Sequence, residues 1–376
     1  MPHKPLRVGV NGCGRIGRTL LRLLTGVEYP GVNNSLIDLV VAHDLMPAEQ
    51  LVYLLNNDSV HGRLECPFIY DATTHHITRL GWSFVYKESK HPQVPLWSDY
   101  GIHTLVETSA AYRTKEALQL HLDAGVDNIL LAAPLLLEDS SIDPNSWTKQ
   151  VHGLMPGEFE PHATARIYPT FSCTTQAMLT VLAPLLASTN PIHAKSHLDG
   201  ESALDTATTL DIESMMVTEL HGYTTSQSLL DGPHRDWRRG RAAASSIIPT
   251  MTQGIFGVEQ FFPHLHGKVS GYSARVPVNN VAAVDINIVL KKPVDLDAII
   301  EKLTINSTSY LLGRLAIDRQ PLVSVDYIGR TESAIVAADL CQTIGRQLRL
   351  FAWYDNETGY SSRLIESLIN QSLLNQ

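Results

Sequence analysis

The stretch LRVGVNGCGRIGRTLLRLL, residues 6–24, constrains the fold more than any other part of the chain. LRVGV reads as a short buried strand, and Gly12, Gly14 and Gly17 follow it at once in GxGxxG spacing. A helical period then starts at Ile16, with Leu20, Leu21 and Leu24 on its apolar face. Glycines so placed permit a tight turn and bring a pyrophosphate close to a helix N-terminus, whose unpaired N–H groups favour an anion. GxGxxG alone is weak evidence, but here it has the strand before it and the helix after it that the motif requires. A second strand, LIDLVVAHD, ends in Asp44, about 20 residues on from the motif, where an acid is expected to bind a ribose diol. The combination predicts a dinucleotide site.

The alternation continues. HTLVETS (103–109) and NILLAAP (128–134) read as strands, and TKEALQLHLDAG between them as a helix with a glycine stop. Strands alternating with helices imply a mainly parallel, helix-covered sheet over residues 1–168. The pattern then changes. SARVPV (273–278), VAAVDINIVL (281–290) and PLVSVDY (321–327) read as strands, and period-2 alternation in the second predicts an antiparallel sheet. KPVDLDAIIEKLTI reads as a helix with an aspartate cap. The expected fold class is α/β: a dinucleotide-binding domain of Rossmann type over 1–168, followed by an α+β catalytic domain with a mainly antiparallel sheet over 169–355. Residues 356–376, with the amphipathic SSRLIESLINQSLL, are expected to form a helix that returns to the first domain.

Composition narrows the function. At 376 residues, two domains are the default. The net charge of -9 argues against neutralising nucleic-acid phosphates. Apolar runs are short and interrupted, and no secretory segment opens the chain, so a cytoplasmic protein off the membrane is expected. Cys13, Cys66, Cys173 and Cys341 lack CxxC spacing, and no HExxH occurs among the 16 histidines. No metal site is expected.

TFSCTTQAML (170–179) sets a cysteine where a helix is about to begin. A helix N-terminus favours a thiolate over a thiol, which would make Cys173 a nucleophile. Cysteine is also a small hydrophobe that often lies buried, and the stretch alone favours that plainer reading. His221, between Leu220 and Gly222, can likewise be a satisfied core histidine or a base.

VGVNGCGRIGR, SCTT, ELHGYTTSQSLLDGPHRDWRRGRAAASSIIP, SARVPVNNVAAVD and WYDNETGYSSR together resemble, in order and over essentially the whole chain, the phosphorylating glyceraldehyde-3-phosphate dehydrogenase family. The resemblance implies NAD as cofactor, a small phosphorylated aldehyde and inorganic phosphate as substrates, a cysteine thioester as intermediate, and a homotetramer. It makes Cys173 the nucleophile and His221 its base. Asn11, Gly12, Gly14, Arg15, Ile16, Asp44 and Ser109 would hold the dinucleotide, with Asn356 and Tyr360 at the nicotinamide. Thr224 and Arg275 would bind the substrate phosphate, and Ser172, Thr174, Arg239, Thr252 and Gln253 would surround the attacking phosphate.

The chain departs from the family pattern at Cys13, at Thr108-Ser109-Ala110, at Thr170 and Phe171 before the serine-cysteine pair, at Gln176 after it, and at Gln253. The loop TMTQGIF, with FFP, RRGRAA and PLVSVDY, is similar to the erythrose-4-phosphate dehydrogenase branch, while Thr224 follows the glyceraldehyde enzymes. Two further functions stand beside the first: oxidation of erythrose 4-phosphate with release by water, and a degenerate NAD-binding scaffold or regulator. STNPIHAKSHLDGESALDTATTLD (188–211) lengthens the connection between Cys173 and His221 and reads as a surface excursion.

Overall fold

The computed structural model describes residues 4–26, 36–89, 95–136, 166–186 and 210–374. The polar excursion lies almost wholly outside the described residues. The chain divides into two compact units. One holds the described residues up to Phe171 and those from Ser361 on; the other holds Ser172–Tyr360.

The first unit opens with β1 (Leu6–Asn11), α1 (Arg15–Leu24), β2 (Ile37–Asp44) and α2 (Ala48–Asn56). A small ribbon of β3 (Asn57–Asp58) and β4 (Gly62–Arg63) leads to β5 (Ile69–Asp71), β6 (His76–Arg79) and β7 (Trp82–Glu88). β8 (Thr104–Glu107), α3 (Lys115–Asp123), β9 (Asn128–Leu131) and β10 (Ile167–Pro169) complete the main alternation. Among the described residues these strands form one sheet in the order β10-β9-β8-β1-β2-β7-β6-β5. Pairing is parallel from β10 to β7 and antiparallel at the β7-β6-β5 edge. A parallel sheet covered by helices must be apolar on both faces, which is why Val8, Val10, Val41, Leu105 and Ile129 are all fully buried.

The second unit contains α4 (Cys173–Leu182), β11 (Ile212–Gly222), β12 (Ile248–Thr250), α5 (Gly254–Phe261), β13 (Val269–Val276) and β14 (Ala282–Leu290). It continues through α6 (Leu296–Ser307), β15 (Leu315–Asp318), β16 (Ala334–Ala337), β17 (Gln342–Ile344) and β18 (Gln347–Tyr354). The sheet order is β12-β13-β11-β14-β18-β16-β15, with β17 on β18. The sheet is mixed: β11 with β13 and β15 with β16 are parallel, and the remaining pairs are antiparallel.

The strand expected over PLVSVDY does not form. Ser324–Tyr327 is a 3-10 turn, and Asp326 Oδ2 accepts the Val323 N–H at 2.8 Å. A local side-chain acceptor here outcompetes strand pairing, and Val323 and Val325 stay exposed. The last helix, α7 (Thr358–Leu374), belongs to the first unit from Ser361 on. There Thr104 Oγ1 donates to Gln371 Oε1 at 2.8 Å, and Ser372 Oγ to Leu36 O at 2.7 Å. No helix among the described residues is long and apolar enough to cross a membrane.

Candidate active site

The second unit's site is built on a single row of its sheet. Strand β11 alternates, so Met215, Val217, Glu219 and His221 are all buried and share one face. His221 is in register with Arg275 on β13 and with Ala282 on β14, and Ala282 with Tyr354 on β18. The row Arg275–His221–Ala282–Tyr354 therefore crosses four strands, with Glu219 one pleat behind His221. Helix α4 contacts β14, β16 and β18. Ser172 is its N-cap, its Oγ accepting the Thr175 N–H at 3.1 Å, so Cys173 occupies the first turn. Phe171 and Val281, both non-glycine, sit at φ 60 and φ 69 immediately before α4 and β14. Left-handed non-glycine residues concentrate at functional sites. Helix α5 closes onto α4 because it presents glycine: a Cβ at Gly257 would lie 2.2 Å from Thr175 Cγ2.

These elements bring Cys173 Sγ to 3.7 Å from His221 Nε2. His221 Nδ1 lies 2.6 Å from Gly222 O and 2.5 Å from Arg275 Nη1. One nitrogen cannot donate to the carbonyl and accept from the guanidinium at once, so the two contacts select opposite tautomers. Donation to Gly222 O leaves Nε2 as an acceptor facing the thiol. Burial and the Arg275 charge push the His221 imidazole down to about 4, so it is neutral near pH 7.

At the Cys173 thiol, burial and charge act against the helix start. Burial, and next the Glu219 carboxylate, push the Cys173 thiol up to about 12, against the opposing pull of Arg275 and Thr174. Two consequences are measurable by mass-spectrometric mapping after brief iodoacetamide treatment. Alkylation of Cys173 should rise with pH through the alkaline range, and Glu219→Gln should speed it at neutral pH by roughly tenfold, the weight of about one pKa unit. An unchanged rate in the variant would show that Glu219 does not act on the thiol.

Glu219 and Tyr354 were missed in the sequence, although Glu219 stands two residues from His221 on an alternating strand. The carboxylate is 3% exposed. Thr174 Oγ1 donates to its Oε1 at 2.6 Å, and Tyr354 OH lies 3.5 Å away. Burial raises its pKa, but His221, Arg275 and the Thr174 hydroxyl outweigh this and hold it below the ordinary carboxylate value. His221 Nε2 is 4.0 Å from the same Oε1.

The other expected residues fall as follows. Thr224 is half-buried, with Oγ1 3.0 Å from Ser226 Oγ. Thr252 Oγ1 accepts the Gly254 N–H at 3.1 Å, and Gln253 is exposed and makes no side-chain cap to α5. Arg239 and Arg275 are close enough for Arg275, after burial, to lower the Arg239 pKa. Each guanidinium keeps a buried Nε without a protein partner, as suits a site for anions. Asn356 Oδ1 is buried and equally unpartnered, and Tyr360 is buried.

In the first unit, Gly12 at φ 95 turns β1 into α1; a Cβ there would meet Ser109 N at 2.5 Å. A Cβ at Gly17 would lie 2.0 Å from Gly12 O, so helix and strand touch. Gly14 faces open space, and α1 begins there without a side-chain cap, leaving its first N–H groups to an anion. Asp44 Oδ2 accepts the Cys13 N–H at 2.5 Å, and Oδ1 accepts those of Leu45 and Met46. The Arg15 guanidinium pairs with Asp58 at 2.5 Å, and Ile16 follows it in the first turn of α1.

Asn11 is committed elsewhere. Its Nδ2 donates to Glu107 Oε2 and its Oδ1 lies 2.6 Å from His43 Nδ1, so the side chain organises the strand ends instead of facing outward. Ser109 Oγ donates to Glu107 Oε1 at 2.5 Å. Glu107 was not singled out in the sequence, because a lone acid at a strand end carries no periodic signal. Among the described residues no group of three or more His, Cys, Asp or Glu could hold a metal ion.

The sequence matches known proteins over both units. Residues 6–115 match the NAD binding domain of glyceraldehyde 3-phosphate dehydrogenase, and residues 203–356 match its C-terminal domain. The chain is 34% identical over 362 residues to the glyceraldehyde-3-phosphate dehydrogenase of Geobacillus stearothermophilus, covering 96% of each chain. It is 32% identical over 361 residues to glyceraldehyde-3-phosphate dehydrogenase 1 of Bacillus cereus, again 96% of each. Over 370 residues it is 31% identical to the Mycobacterium avium enzyme of the same name, covering 98% of this chain and 99% of that one. With a dinucleotide turn in one unit and a paired cysteine and histidine in the other, the chain belongs to the glyceraldehyde-3-phosphate dehydrogenase family of NAD-dependent oxidoreductases.

Proposed function

We propose that the chain oxidises glyceraldehyde 3-phosphate through a thioester on Cys173. The observation that carries this is the 3.7 Å approach of Cys173 Sγ to His221 Nε2, with Arg275 at the other ring nitrogen. Arg275 and Thr224 would hold the substrate phosphate. Drawing Arg275 onto that phosphate leaves His221 Nδ1–H donating to Gly222 O and Nε2 free to act as base. The thiol adds to the aldehyde carbon while Nε2 takes its proton. His221 passes that proton to the aldehyde oxygen, giving a hemithioacetal, and takes it back as hydride departs. A thioester remains on Cys173.

NAD, when bound, supplies the hydride acceptor. Gly12, Gly14 and the first N–H groups of α1 would hold its pyrophosphate, Asp44 its ribose, and the unpartnered Asn356 side chain its carboxamide. A carboxylate at a ribose diol repels a 2′-phosphate, so NAD should bind more tightly than NADP. Calorimetric titration of both decides this; equal or tighter NADP binding would place Asp44 away from the ribose.

The family reading sends the thioester to inorganic phosphate, giving 1,3-bisphosphoglycerate. A second reading, hydrolysis to the free acid, is favoured by one observation: Thr174 directs its hydroxyl to Glu219. NADH formation with glyceraldehyde 3-phosphate and with erythrose 4-phosphate tests the reading. Bound NAD with neither aldehyde oxidised would replace it with the scaffold or regulator function.

A further inference from the structure

We propose that Glu219 determines the acyl acceptor: a carboxylate fixed beside Cys173 bars inorganic phosphate and leaves the thioester to water. The inference rests on the Cys173 thioester proposed above.

A glutamate on the buried face of a strand is costly unless it is paired and hydrogen-bonded. Here it is held on several sides. Thr174 Oγ1 donates at 2.6 Å and Tyr354 OH stands at 3.5 Å. The same Thr174 Oγ1 lies 4.0 Å from Cys173 Sγ, and His221 Nε2 lies 4.0 Å from Glu219 Oε1. Thr174 and Thr252 are the hydroxyl donors that the family resemblance assigns to the attacking phosphate. A hydroxyl has one hydrogen to donate, and that of Thr174 goes to Glu219. A phosphate dianion approaching the acyl carbon along this side would find the Thr174 donor taken and a like charge facing it. Arg275 offsets part of that charge, but it is also the group assigned to the substrate's own phosphate. Water carries no charge and meets no such barrier.

The step balances with water alone. The water oxygen bonds to the acyl carbon while neutral His221 takes its proton. The C–S bond then breaks, and the departing Cys173 sulfur recovers a proton from the imidazolium, releasing the carboxylic acid. Glu219, 4.0 Å from Nε2, favours the imidazolium that forms in between. It acts through His221 and by excluding phosphate, as a specificity-determining residue that need not touch the substrate.

The test uses full-length wild type and Glu219→Gln, which keeps the shape and the Thr174 acceptor but removes the charge. NADH formation from glyceraldehyde 3-phosphate is followed with and without inorganic phosphate in ¹⁸O-labelled water. Hydroxylamine trapping quantifies acyl phosphate, and mass spectrometry quantifies labelled acid and the Cys173 adduct after a single turnover. Wild type should give labelled acid at a rate indifferent to phosphate. Glu219→Gln should raise the ratio of acyl phosphate to acid by about tenfold or more, the weight of one close like charge. A purely structural role would lower turnover without moving that ratio. Wild type that acylates Cys173 and discharges it to phosphate overturns the proposal and leaves the thioester reading intact. A folded Glu219→Gln with an unchanged ratio removes Glu219 from the choice of acceptor. An unacylated Cys173 overturns the thioester reading and the proposal together.

Discussion

Cys173→Ala is expected to lower aldehyde-dependent NADH formation by more than about ten-thousandfold while NAD affinity stays unchanged. Nothing near it can replace the sulfur. The Thr174 hydroxyl, 4.0 Å from Sγ, is turned onto Glu219 at 2.6 Å, and an alcohol in that pairing is a poor nucleophile. Cys13 and Cys341 are buried, and burial pushes the thiol of each upward. Steady-state kinetics with calorimetric NAD titration on the same preparation separates chemistry from binding. A variant that keeps even a hundredth of wild-type turnover would show that the reaction does not pass through Cys173.

Arg275→Leu should have the next largest effect. Losing a partly buried, charge-assisted contact costs about 2 to 3 kcal/mol, roughly a hundredfold in kcat/KM for glyceraldehyde 3-phosphate. Two roles converge on this guanidinium: it would hold the substrate phosphate, and it sits 2.5 Å from His221 Nδ1. Parallel kinetics with unphosphorylated glyceraldehyde separates them. If phosphate recognition dominates, that substrate should lose far less than the phosphorylated one. An equal loss for both would assign Arg275 to setting the His221 tautomer and would remove it from the substrate phosphate site.

Much of the first unit was open to sequence reasoning, because its signals are short-range. Apolar runs, glycine at a turn that needs φ 95, and a helical period after it are all local properties. They place β1, α1, β2, β8, α3 and β9 where the structure has them. The second unit was harder to read. PLVSVDY has a strand-like composition, yet one aspartate captures a nearby N–H and the segment turns. The parallel pairing of β11 with β13 leaves no trace in either strand, since register is a property of two segments far apart in the chain.

The site divides along the same line. The family resemblance marked Cys173 and His221, and the helix start marked the cysteine as special, because turn chemistry is written locally. The protonation state was decided by folding. Desolvation and the charge of Glu219 act through space to raise the Cys173 thiol, while Arg275 pulls it down. Asn11 matches the cofactor fingerprint by position, but folding sets its amide between Glu107 and His43. Thr174 matches a phosphate ligand by motif, and a glutamate brought in on a neighbouring strand takes its hydroxyl. A motif names the groups a site has to work with. Which of them remain free, and with what charge, depends on the burial and cross-strand contacts that exist only once the chain has folded.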